Sequence, residues 1–153
     1  MKCLVIGGTR GIGLDIVNYF NGDSVSRHGT DPGFNIRKDE DRGTIVNLSL
    51  NYDLVVNHAY SGDMSQTLML NEMFQTWTLN SHPGYLINSG SDASKLYRMK
   101  AGKDPMYSVL KTTQNTFMKL YKTDVSKYTE KKGQFAYLSW AHAVAAVSYT
   151  HLR

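Results

Sequence analysis

A short apolar run, Lys2-Cys3-Leu4-Val5-Ile6, breaks directly into Gly7-Gly8-Thr9-Arg10-Gly11-Ile12-Gly13, and no other feature constrains the chain as much. Apolar residues then recur at helical spacing through Ile12, Ile16, Val17 and Phe20, and Asn21-Gly22-Asp23 closes that helix with a glycine stop. Strand, tight turn and helix N-terminus in immediate succession form a unit that receives phosphate. Its free N–H groups and helix dipole meet negative charge, and its glycines let backbone come close. No Lys-Ser or Lys-Thr follows the glycines, which disfavours a Walker-type triphosphate cradle. The expectation is a dinucleotide site built on Gly7, Thr9, Arg10, Gly11, Ile12 and Gly13.

The rest of the chain alternates in the same sense. Ser24–Arg27 reads as a second strand, and Gly33–Ile36 as a third after the turn-rich Thr30-Asp31-Pro32. Thr44-Ile45-Val46 has β propensity, yet the stronger strand Leu54–Asn57 follows within a few residues. Parallel strands need a crossover of about a dozen residues or more, usually helical. Asp39–Leu50 is therefore predicted to be that helix, with Asp39, Glu40 and Asp41 suited to its N-terminal end. Leu70, Met73, Phe74 and Trp77 give helical periodicity to Gln66–Asn80, Tyr85–Asn88 reads as strand, Tyr107–Tyr121 as helix and Phe135–Ser139 as a last strand. This alternation predicts an α/β fold, a doubly wound parallel sheet of Rossmann-like, three-layer α/β/α form.

Composition narrows the function classes. At 153 residues, 41% hydrophobic and 20% charged, the chain suits one globular domain. The formal net charge is +4, but Lys and Arg are scattered; even the dense stretch Lys122–Lys132 carries Asp124 and Glu130, so no nucleic-acid surface is expected. No apolar run reaches the length of a membrane span, and the N-terminal apolar run is too short for a signal peptide. The single cysteine, Cys3, lies within the apolar run and reads as a buried thiol of a cytoplasmic protein. His28, His58, His82, His142 and His151 show no metal-binding spacing.

Two arginines refine the ligand. Arg10 lies inside the glycine turn, and Arg27 ends the expected second strand, where the adenosine ribose belongs; no acid follows before Asp31. NAD sites usually place an acid there for the 2′-hydroxyl, whereas Arg suits a 2′-phosphate. NADP(H) is therefore expected over NAD(H).

Downstream come Asn57-His58-Ala59-Tyr60, Asn71, Asn88-Ser89-Gly90-Ser91 and Tyr107-Ser108-Val109-Leu110-Lys111. A Tyr and a Lys four apart share a helix face. In this order, after the Gly7/Gly11/Gly13 turn, the fragments resemble the short-chain dehydrogenase/reductase family from Met1 to about Tyr121. Asn57-His58-Ala59-Tyr60 stands where that family usually has Asn-Asn-Ala-Gly, and Tyr60 takes the place of a glycine beside the nicotinamide channel. The resemblance implies hydride transfer between a nicotinamide and a small-molecule carbonyl or secondary alcohol. Tyr107 would exchange a proton with the substrate oxygen, and Lys111 would favour the phenolate and bind the nicotinamide ribose. Ser91 would hold the substrate carbonyl, with Ser89 as the alternative, and Asn71 would position a relaying water. A tyrosine ordinarily titrates near ~10, so a neighbouring cation is chemically apt. By the same resemblance, Asn35 and Ile36 contact the adenine, Asn57 and Ala59 flank the cofactor, and the chains pair as a homodimer or homotetramer through Gln66–Asn80 and Tyr107–Tyr121.

Family members continue beyond the last expected strand with a substrate-binding segment and one more strand. Residues 1–146 are accordingly expected to be an incomplete dinucleotide-binding domain, and Val147-Ser148-Tyr149-Thr150-His151-Leu152-Arg153 a non-native tail, the competing reading being a genuine short C-terminal strand, since Val-Ser-Tyr-Thr has β propensity. A different class of function, a redox-sensing or regulatory module that binds the cofactor without turnover, is the alternative; it has no need of Tyr107.

Overall fold

A computed structural model of the chain describes residues 1–91, 94, 105–128 and 134–138. It alternates β1 (Cys3–Ile6), α1 (Gly11–Phe20), β2 (Asp23–Val25), α2 (Asp39–Ser49), β3 (Leu54–Asn57), α3 (Ser65–Leu79), β4 (Tyr85–Ser89), α4 (Pro105–Tyr128) and β5 (Gln134–Leu138). The strands form one five-stranded sheet, all parallel, in the order β2-β1-β3-β4-β5. The expected doubly wound sheet is thus observed. The segment 147–153, expected to be a foreign tail, lies outside the described residues, as does the boundary at 146.

The period of two along each strand divides the core between the faces. Leu4, Ile6, Val55 and Leu86 point to one face, where Ile45 and Val46 of α2, Leu70, Met73 and Trp77 of α3, and Met118 and Tyr121 of α4 cover them. Cys3, Val5, Leu54 and Val56 point to the other, where Ile16, Val17 and Phe20 of α1 pack. Burial pushes the Cys3 thiol up to about 11, so it behaves as an inert core side chain.

Two sequence expectations met different fates. Asp39–Ser49 is the crossover helix, with Ile45 and Val46 buried and Thr44 exposed, its hydroxyl donating to Glu40 O at 3.1 Å. Topology here overrides β propensity. Gly33–Ile36, expected to be a third strand, is not one. Too few residues separate it from Val25 for a parallel crossover. The segment instead folds back on the end of β2: Phe34 N–H donates to Ser26 O at 2.9 Å, and the Thr30 hydroxyl to the same oxygen at 2.9 Å. β2 itself stops at Val25, so Arg27 lies past the strand rather than at its end.

That loop is held from α2. Asn35 N–H donates to Asp41 Oδ2 at 2.7 Å, and Arg42 Nη1 to Ile36 O at 2.9 Å. Arg42 is only 3% exposed, and its charge is met by Glu72 of α3 at 3.1 Å and by Asp39. A buried guanidinium thus fixes the loop at the carboxyl ends of the strands, where open parallel sheets bind ligands.

Candidate functional site

The turn after β1 has the geometry that a phosphate needs. Gly7 adopts φ +90°, and a Cβ there would lie 3.0 Å from the Ala59 backbone. A Cβ on Gly13 would lie 2.1 Å from Gly7 O, so α1 touches the strand end at a distance only glycine permits. Nothing lies within 4 Å of the Cβ position of Gly11, which faces open space. Arg10 precedes α1 without a side-chain cap, and no acid occupies the first turn. The leading N–H groups of α1 have no intrahelical acceptor and present partial positive charge.

From this turn a cleft of about 830 Å³ runs across the carboxyl ends of β1, β3 and β4. One end is walled by Val25, Arg27, Phe34, Asn35, Ile36 and Arg37, and the other by His58, Tyr60, Ser89, Tyr107 and Lys111. Among the described residues its lining holds Arg10, Arg27, Arg37 and Lys111 but no Asp or Glu. Arg37 is itself tied across the mouth, pairing with Asp63 at 3.5 Å and donating to Ser61 O.

Lys111 is 3% exposed, and its ammonium donates to Gln66 Oε1 and Ser89 O, both at 2.9 Å, and to Gln114 Oε1 at 3.4 Å. Gln66 is itself oriented. Its Nε2 donates to Asn57 O at 3.0 Å and Asn88 Oδ1 at 3.4 Å, which turns Oε1 to the lysine. Asn57, Asn88, Gln66 and Gln114 are fully buried and bonded to one another, so the lysine stands at the edge of a buried polar network, in which Asn57 Oδ1 has no partner among the described residues. Burial draws the Lys111 pKa down to about 8.

Tyr107, in the first turn of α4, meets the edge of Tyr60 at 5.1 Å between ring centroids. Lys111 Nζ lies 5.5 Å from the Tyr60 ring and 5.7 Å from the Tyr107 ring. His58 Nδ1 lies 2.7 Å from Ser89 Oγ. Burial first, then the Lys111 charge, hold the imidazole pKa down at about 4, so the ring is neutral at neutral pH.

Of the residues singled out from sequence, Gly7, Thr9, Arg10, Gly11, Ile12, Arg27, Asn35, Ile36, Ala59, Tyr107 and Lys111 line this one cleft. Gly13 lies beneath the turn, and Asn57 is in the polar core behind Lys111. Ser91 is buried and does not line the cleft; Ser89 does. Asn71 is not brought to the cleft: its Oδ1 accepts from the Tyr121 hydroxyl at 2.8 Å on the far stretch of α4. The lysine's partner on α3 is Gln66 instead. Its sequence signal is position, since Gln66, Leu70, Met73 and Trp77 fall on one helix stripe and all are buried. Asn71 is one residue off that stripe. His58 and Tyr60 stand out in the sequence as departures from Asn-Asn-Ala-Gly, His58 reading there as a structural substitution rather than a catalytic one, while Arg37 carried no signal.

No family model matches the sequence, and no curated protein matches it. Solved structures do. A carbonyl reductase from Pseudomonas aeruginosa PAO1 superposes with a TM-score of 0.67 at 16% identity, covering 97% of this chain and 91% of its own. BdcA, in complex with NADPH, gives 0.66 at 15% identity over 90% of this chain and 69% of its own. A short-chain dehydrogenase from Leptospira borgpetersenii with bound NAD+ gives 0.63 at 14% identity over 90% and 69%. The chain therefore has the fold of these proteins.

Proposed function

We propose that the chain is an NADP(H)-dependent oxidoreductase of the short-chain dehydrogenase/reductase type, acting on a small-molecule carbonyl or secondary alcohol. One observation carries the reading. A single cleft has a glycine turn and helix N-terminus at one end and the Tyr107–Lys111 pair at the other, without a carboxylate among its described lining residues.

The residues fit the group they would hold. The N–H groups at the start of α1 would take the pyrophosphate, and the closeness of Gly7 and Gly13 keeps the turn low enough to admit it. Arg10 and Arg27 would meet a 2′-phosphate, and Asn35 and Ile36 the adenine. When bound, the nicotinamide supplies or accepts the hydride. Tyr107 gives a proton to the substrate oxygen in reduction, or takes it in oxidation. Lys111 acts on that phenol as a nearby cation, clamped by its three acceptors so that its charge stays in place. Ser89, which reaches the cleft, takes the carbonyl-holding role that the resemblance assigned to Ser91. Leu68 and Leu79 of α3 and Val109 and Leu120 of α4 are exposed apolar residues on the helices expected to pair subunits, which favours a homodimer or homotetramer.

Titration of the chain with NADPH and NADH, followed by calorimetry, tests the cofactor. NADPH binds more tightly, and Arg27→Ala weakens it ~10-fold or more, the loss of a charge-assisted bond, while NADH is little changed. Equal loss for both cofactors would take Arg27 away from the 2′-phosphate.

Reduction also carries a pH signature. Because burial sets the Lys111 pKa near 8, the charged lysine is lost as pH rises through about 8. The rate of carbonyl reduction should fall over that range in the wild type. In Lys111→Met the rate is low throughout and that limb is gone; an unchanged limb would assign it to another group.

A further inference from the structure

His58 follows directly on β3, and its N–H donates to Ile6 O at 3.1 Å. Its ring lies between the phosphate turn and the end of β4. On one side its Cδ2 sits 3.0 Å from where a Gly13 Cβ would be, and on the other its Nδ1 is 2.7 Å from Ser89 Oγ. Ser89 is otherwise pinned through its carbonyl, which accepts from Lys111 at 2.9 Å and from Asn88 Nδ2 at 3.4 Å. The group left to be aimed is the hydroxyl.

A neutral imidazole carries one N–H, and a serine hydroxyl carries one proton. The imidazole is neutral here, since burial and the Lys111 charge keep its pKa near 4. Two arrangements fit the short contact. If Ser89 donates to a bare Nδ1, its only proton is committed to the ring and is withdrawn from the cleft. If the ring donates through Nδ1–H, the serine oxygen is the acceptor, and its own proton is free to turn toward the substrate oxygen beside Tyr107. Only the second lets Ser89 and Tyr107 both donate to a carbonyl oxygen, which is an acceptor and gains charge as it is reduced.

We propose that His58 is a positioning residue: as the Nδ1–H tautomer it donates to Ser89 Oγ and aims the Ser89 proton into the cleft, toward the substrate oxygen. This rests on the oxidoreductase reading above and names the group that orients its carbonyl-holding serine. Because the ring also lies against Gly13, the serine is aimed from the wall that would carry the pyrophosphate, which couples the hydroxyl to the turn's geometry. An asparagine at this position can also offer an amide N–H to Ser89 Oγ, which makes His58→Asn the conservative variant for a donor.

The first test needs neither cofactor nor turnover. The whole chain is labelled with ¹⁵N-histidine, and the His58 ring signals are assigned by their loss in His58→Asn. A one-bond-coupled proton on Nδ1 at neutral pH, moved by Ser89→Ala, is expected. A proton on Nε2 with Nδ1 bare overturns the proposal. The second test uses NADPH with 4-nitrobenzaldehyde and diacetyl as carbonyl probes. His58→Phe, which keeps a ring but no donor, lowers kcat ~10- to 100-fold, as a misaimed donor should. kcat is read at saturating NADPH, which keeps any change of cofactor affinity at this wall apart from it; His58→Asn recovers most of the loss, and Ser89→Ala in the His58→Phe background adds little. The failures are distinguishable. If Tyr107→Phe is inactive while His58→Phe turns over like wild type, the positioning role falls alone. If NADPH binds but Tyr107→Phe matches wild type, the enzyme reading falls and takes this one with it. Thermal melts report whether each variant is folded, and Ser89→Ala reads the same bond from its smaller partner.

Discussion

Replacing Tyr107 by Phe should lower carbonyl reduction by ~10³-fold, within the range that a positioned proton donor contributes, while NADPH affinity stays within about threefold. The substitution removes one oxygen and little else. The ring remains to meet the Tyr60 edge, packed at 5.1 Å, and Lys111 keeps its acceptors at Gln66, Ser89 and Gln114. The fold and the phosphate turn are therefore untouched, and the loss is confined to chemistry at the substrate oxygen. Steady-state loss of NADPH absorbance gives kcat, and calorimetry gives Kd. The alternative, a sensor that binds cofactor without turnover, predicts no difference in any response between Tyr107 and Phe, so one variant separates the two readings.

Gly13→Ala should have the second large effect, beneath the glycine turn. The added methyl would stand 2.1 Å from Gly7 O and 3.0 Å from both Gly7 C and His58 Cδ2. A backbone carbonyl cannot swing aside as a long side chain does, so α1 must move off the end of β1. The displacement should cost ~2–3 kcal/mol in stability, as overpacking does, and NADPH affinity should fall ~100-fold, because the leading N–H groups move with the helix. Gly11→Ala is the contrast. No atom lies within 4 Å of its Cβ position, and its cost comes from φ +58°, about 1 kcal/mol for a left-handed residue. Thermal melts and NADPH titrations of the two variants should therefore separate clash from backbone strain. Wild-type affinity in Gly13→Ala would show that the turn does not hold the pyrophosphate.

Legibility in the sequence followed the range of the interaction. The β1–turn–α1 unit was readable because its signals are local: an apolar run, glycines at fixed offsets, then apolar residues at helical spacing. Asp39–Ser49 was readable although its propensity pointed the wrong way, because chain length forbids two adjacent parallel strands without a crossover. The same rule, applied to the few residues between Val25 and Gly33, would have refused the strand expected at Gly33–Ile36. That segment's fate was decided by hydrogen bonds back to Ser26 and by Arg42, whose donation to Ile36 O has no local signature.

By itself the sequence determined the α/β alternation, through local periodicity and the chain length that parallel crossovers need, and the glycine turn and the Tyr107–Lys111 pair, which rest on residues a few positions apart. Tertiary structure alone decided which neighbouring side chain completes the site. Ser89 ends β4 and lines the cleft whereas Ser91 lies past the strand end; helical geometry put Gln66 on the buried stripe in contact with Lys111 and left Asn71 bonded to Tyr121. The fold also brought His58 to Ser89 across the gap between β3 and β4. These contacts join residues far apart in sequence, and a shift of one position in a helix or a strand redirects a side chain completely. Composition and spacing do not record such a shift; packing does.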